Sequence, residues 1–262
     1  MPMQNLLNSE SVIFGKMKHI IKYLPVYFSL ISIFTGGCEK VNELYTNDRE
    51  IVKEVPLEHY NYVRIWSISD IRLVEDTVCK AVLKGKRSVV NNISFEQEDK
   101  RILVRGKGTN QWYRGTEKPV VAFHFTNLEY FRIEEPAQLY SEDTIHSENL
   151  KIIVANGLSE VDLILDTESF YFENWTTNTG TYNFSGKCNN SHIKLYGSGR
   201  LQAENLITAH AVIEQHSIAN GYLSVEDTLE VYTKSKGNIY YTGDPKKIIF
   251  ERDASGRLIR ME

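Results

Sequence analysis

Residues able to do chemistry are present in this chain, but they are scattered. Asp162 and Asp166 lie four apart in an alternating apolar run, so they share one face of a strand. Two carboxylates so placed could hold calcium or pass a proton. The matching places downstream carry Asn183 or Lys187, Gln202 or Leu206, and Ser224 or Thr228, which makes no ladder of carboxylates with a basic partner. His59, His124, His146, His192, His210 and His216 show no zinc-binding spacing and read as solvated or capping residues. Cys38, Cys79 and Cys188 include no CxxC, which argues against a thiolate metal site. Cys79 and Cys188 read either as one disulfide in an oxidising compartment or as two buried thiols. There is no GxSxG elbow and no phosphate-cradling loop with a following lysine. The expectation is a non-enzyme with no catalytic residues, no metal and no cofactor.

Binding chemistry is better represented. The stretch Phe170-Tyr171-Phe172-Glu173-Asn174-Trp175 sets rings on both faces of a strand, and Trp112-Tyr113 sits in a loop. An exposed Trp or Tyr can stack on a sugar ring or anchor a protein partner. Trp112, Tyr113, Tyr171 and Trp175 are therefore candidate ligand-binding residues, with core packing and end-capping as the competing reading. Asp76-Thr77-Val78, Asp143-Thr144-Ile145 and Asp227-Thr228-Leu229 resemble the Asp-Thr-aliphatic acceptor for O-glycans in exported Bacteroidetes proteins. Thr77, Thr144 and Thr228 are the candidate acceptors, and turn chemistry is an equal explanation.

The N-terminus supplies an address. Lys16, Lys18 and Lys22 flank Met17 and precede the apolar run Leu24–Phe34, followed by Thr35-Gly36-Gly37-Cys38. A basic segment, an apolar stretch of about 11 residues and small residues before a break describe a secretory signal. That stretch is short of the roughly 20 apolar residues of a membrane span. Small residues immediately before a cysteine resemble a bacterial lipobox, in which Cys38 becomes the acylated N-terminus. A cleaved signal with an incidental cysteine and an uncleaved anchor are the competing readings. Residues 1–37 are thus expected to be an upstream extension plus a lipoprotein signal peptide, and 38–58 a polar tether. The expected location is the outer membrane, on either its periplasmic or its cell-surface side.

The elements that would position the candidate residues are strands. The chain has 262 residues, 42% hydrophobic, with 15 Tyr and only 6 Pro, a balance that favours strands. The formal charge of −4 announces no basic face, so nucleic acid is not expected as a partner. Short alternating runs begin at Tyr62, and Ile93–Phe95 and Arg101–Arg105 around a polar turn read as a hairpin. From Leu150 to Pro245 five copies of run, turn and run follow, with Ile193, Val212 and Val231 spaced 19 residues apart. Gly157, Gly180, Gly199, Gly221 and Gly237 are read as their turns. A period near 20 residues with strand alternation indicates a β-solenoid over 59–262, with Lys246–Arg252 capping its open end. A β-sandwich with evenly spaced hairpins is the alternative.

The order of parts resembles a known family once Tyr241-Thr242-Gly243-Asp244-Pro245 is reached. That Tyr-x-Gly-x-Pro turn, Leu128–Ile133 and Gly197-Ser198-Gly199 are similar to the auto-transporter adhesin, head GIN domain family of Bacteroidetes. The likeness runs from about Tyr60 to Pro245 and departs from the usual Ser-Gly-x-Gly corners at Asn156-Gly157, Ser217–Gly221 and Ser235-Lys236-Gly237. It implies a right-handed parallel β-helix on a secreted or lipid-anchored protein, with no established catalytic residues. The expected function is a lipid-anchored binding surface that takes a glycan or an envelope protein, or else a structural periplasmic component. A polysaccharide-active enzyme is the reading with least behind it.

Overall fold

Alternation of apolar and polar residues, with β-branched and aromatic residues in the apolar places, builds nearly everything in this chain. The computed structural model describes residues 48–106, 118–175 and 178–262. In chain order the strands are β1 (Glu50–Pro56), β2 (Tyr62–Trp66), β3 (Ser69–Glu75), β4 (Lys80–Lys86), β5 (Ile93–Glu98), β6 (Arg101–Gly106), β7 (Val120–Phe125), β8 (Tyr130–Ile133) and β9 (Ala137–Ser141). They continue as β10 (Ile145–Val154), β11 (Glu160–Asn174), β12 (Thr181–Leu195), β13 (Arg200–Gln215), β14 (Gly221–Thr233), β15 (Ile239–Thr242), β16 (Lys247–Arg252) and β17 (Leu258–Arg260). One four-residue helix, α1 (Arg87–Val90), follows β4. The strands form one sheet that curls into a β-solenoid of about six turns, so the expected solenoid, and not the sandwich, is the architecture.

Register shows how the core is made. Ile102, Val63, Phe131, Ile152, Phe172, Ile193, Ile213, Val231 and Phe250 lie beside one another on consecutive parallel strands. All but the last are buried, forming one continuous inward column. A second column runs Val121, Ile71, Leu139, Val161, Tyr182, Leu201, Gly221, Ile239 and Leu258 along the opposite wall. A turn cannot hide its apolar row alone, whereas stacked turns about 4.8 Å apart cover each other's. Phe172, for example, meets Tyr182 at 4.7 Å and Phe184 at 5.0 Å between ring centroids. Burying one such side chain contributes about 1.5–3 kcal/mol.

The repeat is looser than 19 residues. Ile193 lies beside Ile213, and Val212 lies beside His192 on the outer side. Register shifts between Asn183 and Ser185, and between Ala203 and Ile207, absorb the extra residues. Gly157 has a φ of 84°, as its turn requires. Gly221 instead opens β14 as a member of an inward column. Gly237 is set by close approach: a Cβ there would lie 2.0 Å from the Ala219 carbonyl oxygen.

The ends are built differently from expectation. Glu50–Pro56, expected within a tether, is a strand paired antiparallel with β4. Ile51, Val55 and Leu57 stand at alternating places among the charged residues, and all three pack on the core. The rest of 38–58 up to residue 47 lies outside the described residues. The hairpin expected between Ile93 and Arg105 is present as antiparallel β5 and β6. The chain does not simply wind from one end to the other. β2 lies between β6 and β8, and β3 lies between β7 and β9. At the far end β16 and β17 pair in parallel with β14 and β15, so the segment expected to cap the edge is itself the last rung.

Candidate functional site

The outward rows of one wall carry the most concentrated chemistry. The residue before each member of the first inward column faces out, which lines up Arg101, Tyr62, Tyr130, Lys151, Tyr171 and His192 on successive strands. Tyr62 and Tyr130 stack at 4.2 Å with planes 2° apart, and the Arg101 guanidinium lies 5.5 Å from the Tyr62 centroid. Lys151 Nζ lies 4.3 Å from the Tyr171 centroid, and the His192 ring meets Tyr171 edge-on at 5.2 Å. Arg101 and Lys151 are thus interspersed with the rings along the solenoid axis, each set against the negative face of a neighbouring tyrosine.

Two further rows lie beside this one. Arg64 lies 4.1 Å and Arg105 4.7 Å from the Trp66 centroid, while Arg132 lies 4.4 Å from that of Trp175. Glu134 accepts from the Nε of Arg64 and, at 2.7 Å, from that of Arg132, which fixes both guanidinium groups. Ile153, between Arg132 and Glu173, faces outward but is buried beneath longer neighbours. A shallow groove of about 580 Å³ runs beside Tyr130, Lys151, Tyr171, His192 and Asn190.

Farther along the same wall, Glu214 organises a smaller cluster. Its carboxylate lies 2.9 Å from Lys194 Nζ and 3.0 Å from His192 Nε2. Burial works to raise its pKa, but the Lys194 and His192 contacts together outweigh burial and hold it at about 2. His216, stacked on Tyr196 at 4.5 Å, is pushed below the ordinary histidine range by burial and by Lys234. The Tyr171 hydroxyl, raised by burial and by Glu173, donates to that carboxylate at 2.7 Å.

Of the four aromatic residues singled out from sequence, Tyr171 on β11 and Trp175 just after it share this wall, while Phe170 and Phe172 point inward. Trp175 is 41% exposed. Trp112 and Tyr113 lie outside the described residues, as does Cys38. Tyr62, Trp66, Tyr130 and the arginines beside them were missed because each stands in a short strand that looks unremarkable alone. Their shared phase, outward and one or three places from a buried β-branched or aromatic residue, is the cue that joins them.

The remaining candidates are dispersed. Asp162 is exposed on the opposite wall between Tyr140 and Asn183, and Asp166 is exposed between His146 and Lys187. Cys79 and Cys188 are buried free thiols, so the disulfide alternative is not realised. Thr77 is exposed in a bend, with its amide donating to Asp76 Oδ1 at 2.6 Å. Thr144 and Thr228 are half-buried, the latter between His210 and Lys247 within the sheet. Five of the histidines read as solvated or capping also contact carboxylates: His124 with Asp76 at 2.8 Å, His146 with Glu75 at 3.0 Å, His192 with Glu214 at 3.0 Å, His210 with Asp227 at 3.6 Å and His216 with Glu214 at 3.7 Å. Among the described residues no cluster of His, Cys, Asp and Glu could hold a metal ion.

Comparison with known proteins extends the geometry. A crystal structure described as a "putative adhesin" from Bacteroides fragilis superposes with a TM-score of 0.73 at 14% identity, over 82% of this chain and 98% of that one. A "putative lipid binding protein" from Parabacteroides distasonis superposes at 0.57 and a "putative adhesin" from Parabacteroides merdae at 0.55, each at 14% identity with the same coverage. At such identities the likeness is one of fold. No match is found among curated proteins. Residues 59–245 match a family model described as "Putative auto-transporter adhesin, head GIN domain", and with well over half its length matched the chain belongs to that family.

Proposed function

We propose that this chain is a non-enzymatic, lipid-anchored cell-envelope protein that uses the aromatic and cationic wall to bind an anionic glycan. The observation that carries the reading is the run of Arg101, Tyr62, Tyr130, Lys151 and Tyr171 beside Arg64, Arg105 and Arg132. These cations gather on one wall of a chain whose net charge is −4. Tyr62 and Tyr130, stacked rung upon rung, offer their edges and not their faces to solvent. A ligand on this wall therefore meets hydroxyl groups and guanidinium N–H groups, which suit carboxylate or sulfate better than neutral sugar faces. The rows are fixed by a rigid sheet, so little side-chain freedom is lost on binding. The adhesin family supports export, and Thr35-Gly36-Gly37-Cys38 supports acylation at Cys38.

The test is binding of purified protein to uronate-containing, sulfated and neutral polysaccharides. Arg132→Ala with Lys151→Ala is expected to weaken binding to the acidic polymers at least about tenfold, and added salt to do the same. Equal binding to neutral polymers, or no effect of the double substitution, would sink the glycan reading. Protease shaving of intact cells, with Cys38→Ala as the anchoring control, tests location. Protection until the outer membrane is breached would favour the structural periplasmic role.

A further inference from the structure

The two ends of the solenoid are finished differently. At the N-terminal end, antiparallel pairing of β1 with β4 and of β5 with β6 interrupts the parallel stack. At the other end β16 is bonded to β14, and among the described residues nothing pairs with its second edge. Phe250 stands in the inward column beside Val231, yet it is 38% exposed, and Ile248 two residues earlier is 44% exposed. An open edge with uncovered apolar residues is a template for another strand.

We propose that the second edge of β16 pairs antiparallel with β16 of a second copy, about a two-fold axis at Ile249. The sequence Lys247-Ile248-Ile249-Phe250-Glu251 is self-complementary in that register. Lys247 faces the partner's Glu251, Ile248 faces the partner's Phe250, and Ile249 faces the partner's Ile249. Side chains directly opposite in an antiparallel pair lie on the same side, so inward residues must meet inward residues. Two identical strands satisfy this only when the axis passes through a residue. Centring on Phe250 would set Ile249 against the partner's Glu251, and centring on Ile248 would set Lys247 against the partner's Ile249. The axis at Ile249 is the choice that joins two ion pairs outside to two apolar pairs inside. Lys246, which falls opposite the partner's Arg252, is already held by Asp227 at 2.7 Å.

The pairing prolongs the sheet through both molecules and keeps the outward rows of both copies on one side. Two aromatic and cationic walls would then face the same way, so a polymeric ligand could engage both. The strand pairing is the same whatever that ligand is.

The test uses the full chain carrying Cys38→Ser, which leaves the two buried thiols. Under mild oxidation Ile249→Cys is expected to give a disulfide-linked dimer, because the two cysteines would meet on the axis. Ile207→Cys, 46% exposed on β13, is the control and should stay monomeric. In sedimentation, Glu251→Lys is expected to raise the dimer dissociation constant at least about tenfold by opposing like charges. Lys247→Glu combined with Glu251→Lys should restore dimerisation, which a merely misfolded edge would not. A wild-type chain that sediments as a monomer, equal cross-linking at Ile207→Cys, or failure of the charge swap to rescue would overturn the proposal.

Discussion

Asn174 and Tyr196, one turn apart, exchange two hydrogen bonds. The amide Nδ2 of Asn174 donates to the Tyr196 carbonyl at 2.9 Å, and the Tyr196 N–H donates to Asn174 Oδ1 at 2.9 Å. Asn174 is fully buried, beside Val154 in an inward row. It satisfies backbone groups where β12 leaves the ladder. Asn174→Leu keeps the branched shape but strands both Tyr196 groups, each worth about 1–3 kcal/mol when buried unpaired. Thermal unfolding of the variant is expected roughly 5 °C or more below that of the wild type.

The Glu214 cluster predicts a pH dependence with a definite sign. Its folded pKa of about 2 lies below the ordinary glutamate value. The stabilisation is therefore complete above about pH 4.5 and is lost as pH falls toward 2. Glu214→Gln should lower stability by about 1 kcal/mol at neutral pH, allowing for solvent screening. The gap between wild type and variant, followed by denaturant titration at a series of pH values, should close in that acid window.

Cys79 and Cys188 are expected to resist alkylation in the folded protein. Cys188 is pushed up by burial, and its thiol donates to the Asn190 carbonyl at 3.2 Å. Mass spectrometry after iodoacetamide at mildly alkaline pH should find both unmodified, with labelling complete after denaturation. Labelling of either thiol in the native state would show that its turn opens.

Gly237→Ala should be severely destabilising, about 3 kcal/mol or more, because the added carbon meets the Ala219 oxygen at 2.0 Å and the Ser217 oxygen at 2.6 Å. Relief needs movement of the whole corner. Calorimetry of this variant against Gly243→Ala, where the obstacle is the Val225 oxygen at 2.1 Å and φ is 92°, would rank the two corners.

The solenoid was legible from Leu150 onward because each turn repeats one apolar phase with enough regularity to survive a slip of one residue. The register of Ile193 was not, since a bulge leaves no mark in an alternating pattern. Strand β1 escaped notice because its charged residues, Glu50, Lys53 and Glu54, make it look like a linker. The aromatic and cationic wall was half visible. Tyr171 and Trp175 stand close in sequence, but Tyr62 and Tyr130 become neighbours only when β2 is set between β6 and β8. No local pattern carries that adjacency.

The placement of β2 and β3 has a consequence for biogenesis. A chain is made from its N-terminus, and these two strands emerge before any strand that will flank them. Both edges of the pair stay unoccupied until β6 and β7 arrive on one side and β8 and β9 on the other. Later turns can be added one at a time onto a finished edge, whereas this first one must wait as an intermediate open on two sides. The seed of the solenoid is therefore the step at which a nascent chain is most exposed to pairing with its neighbours.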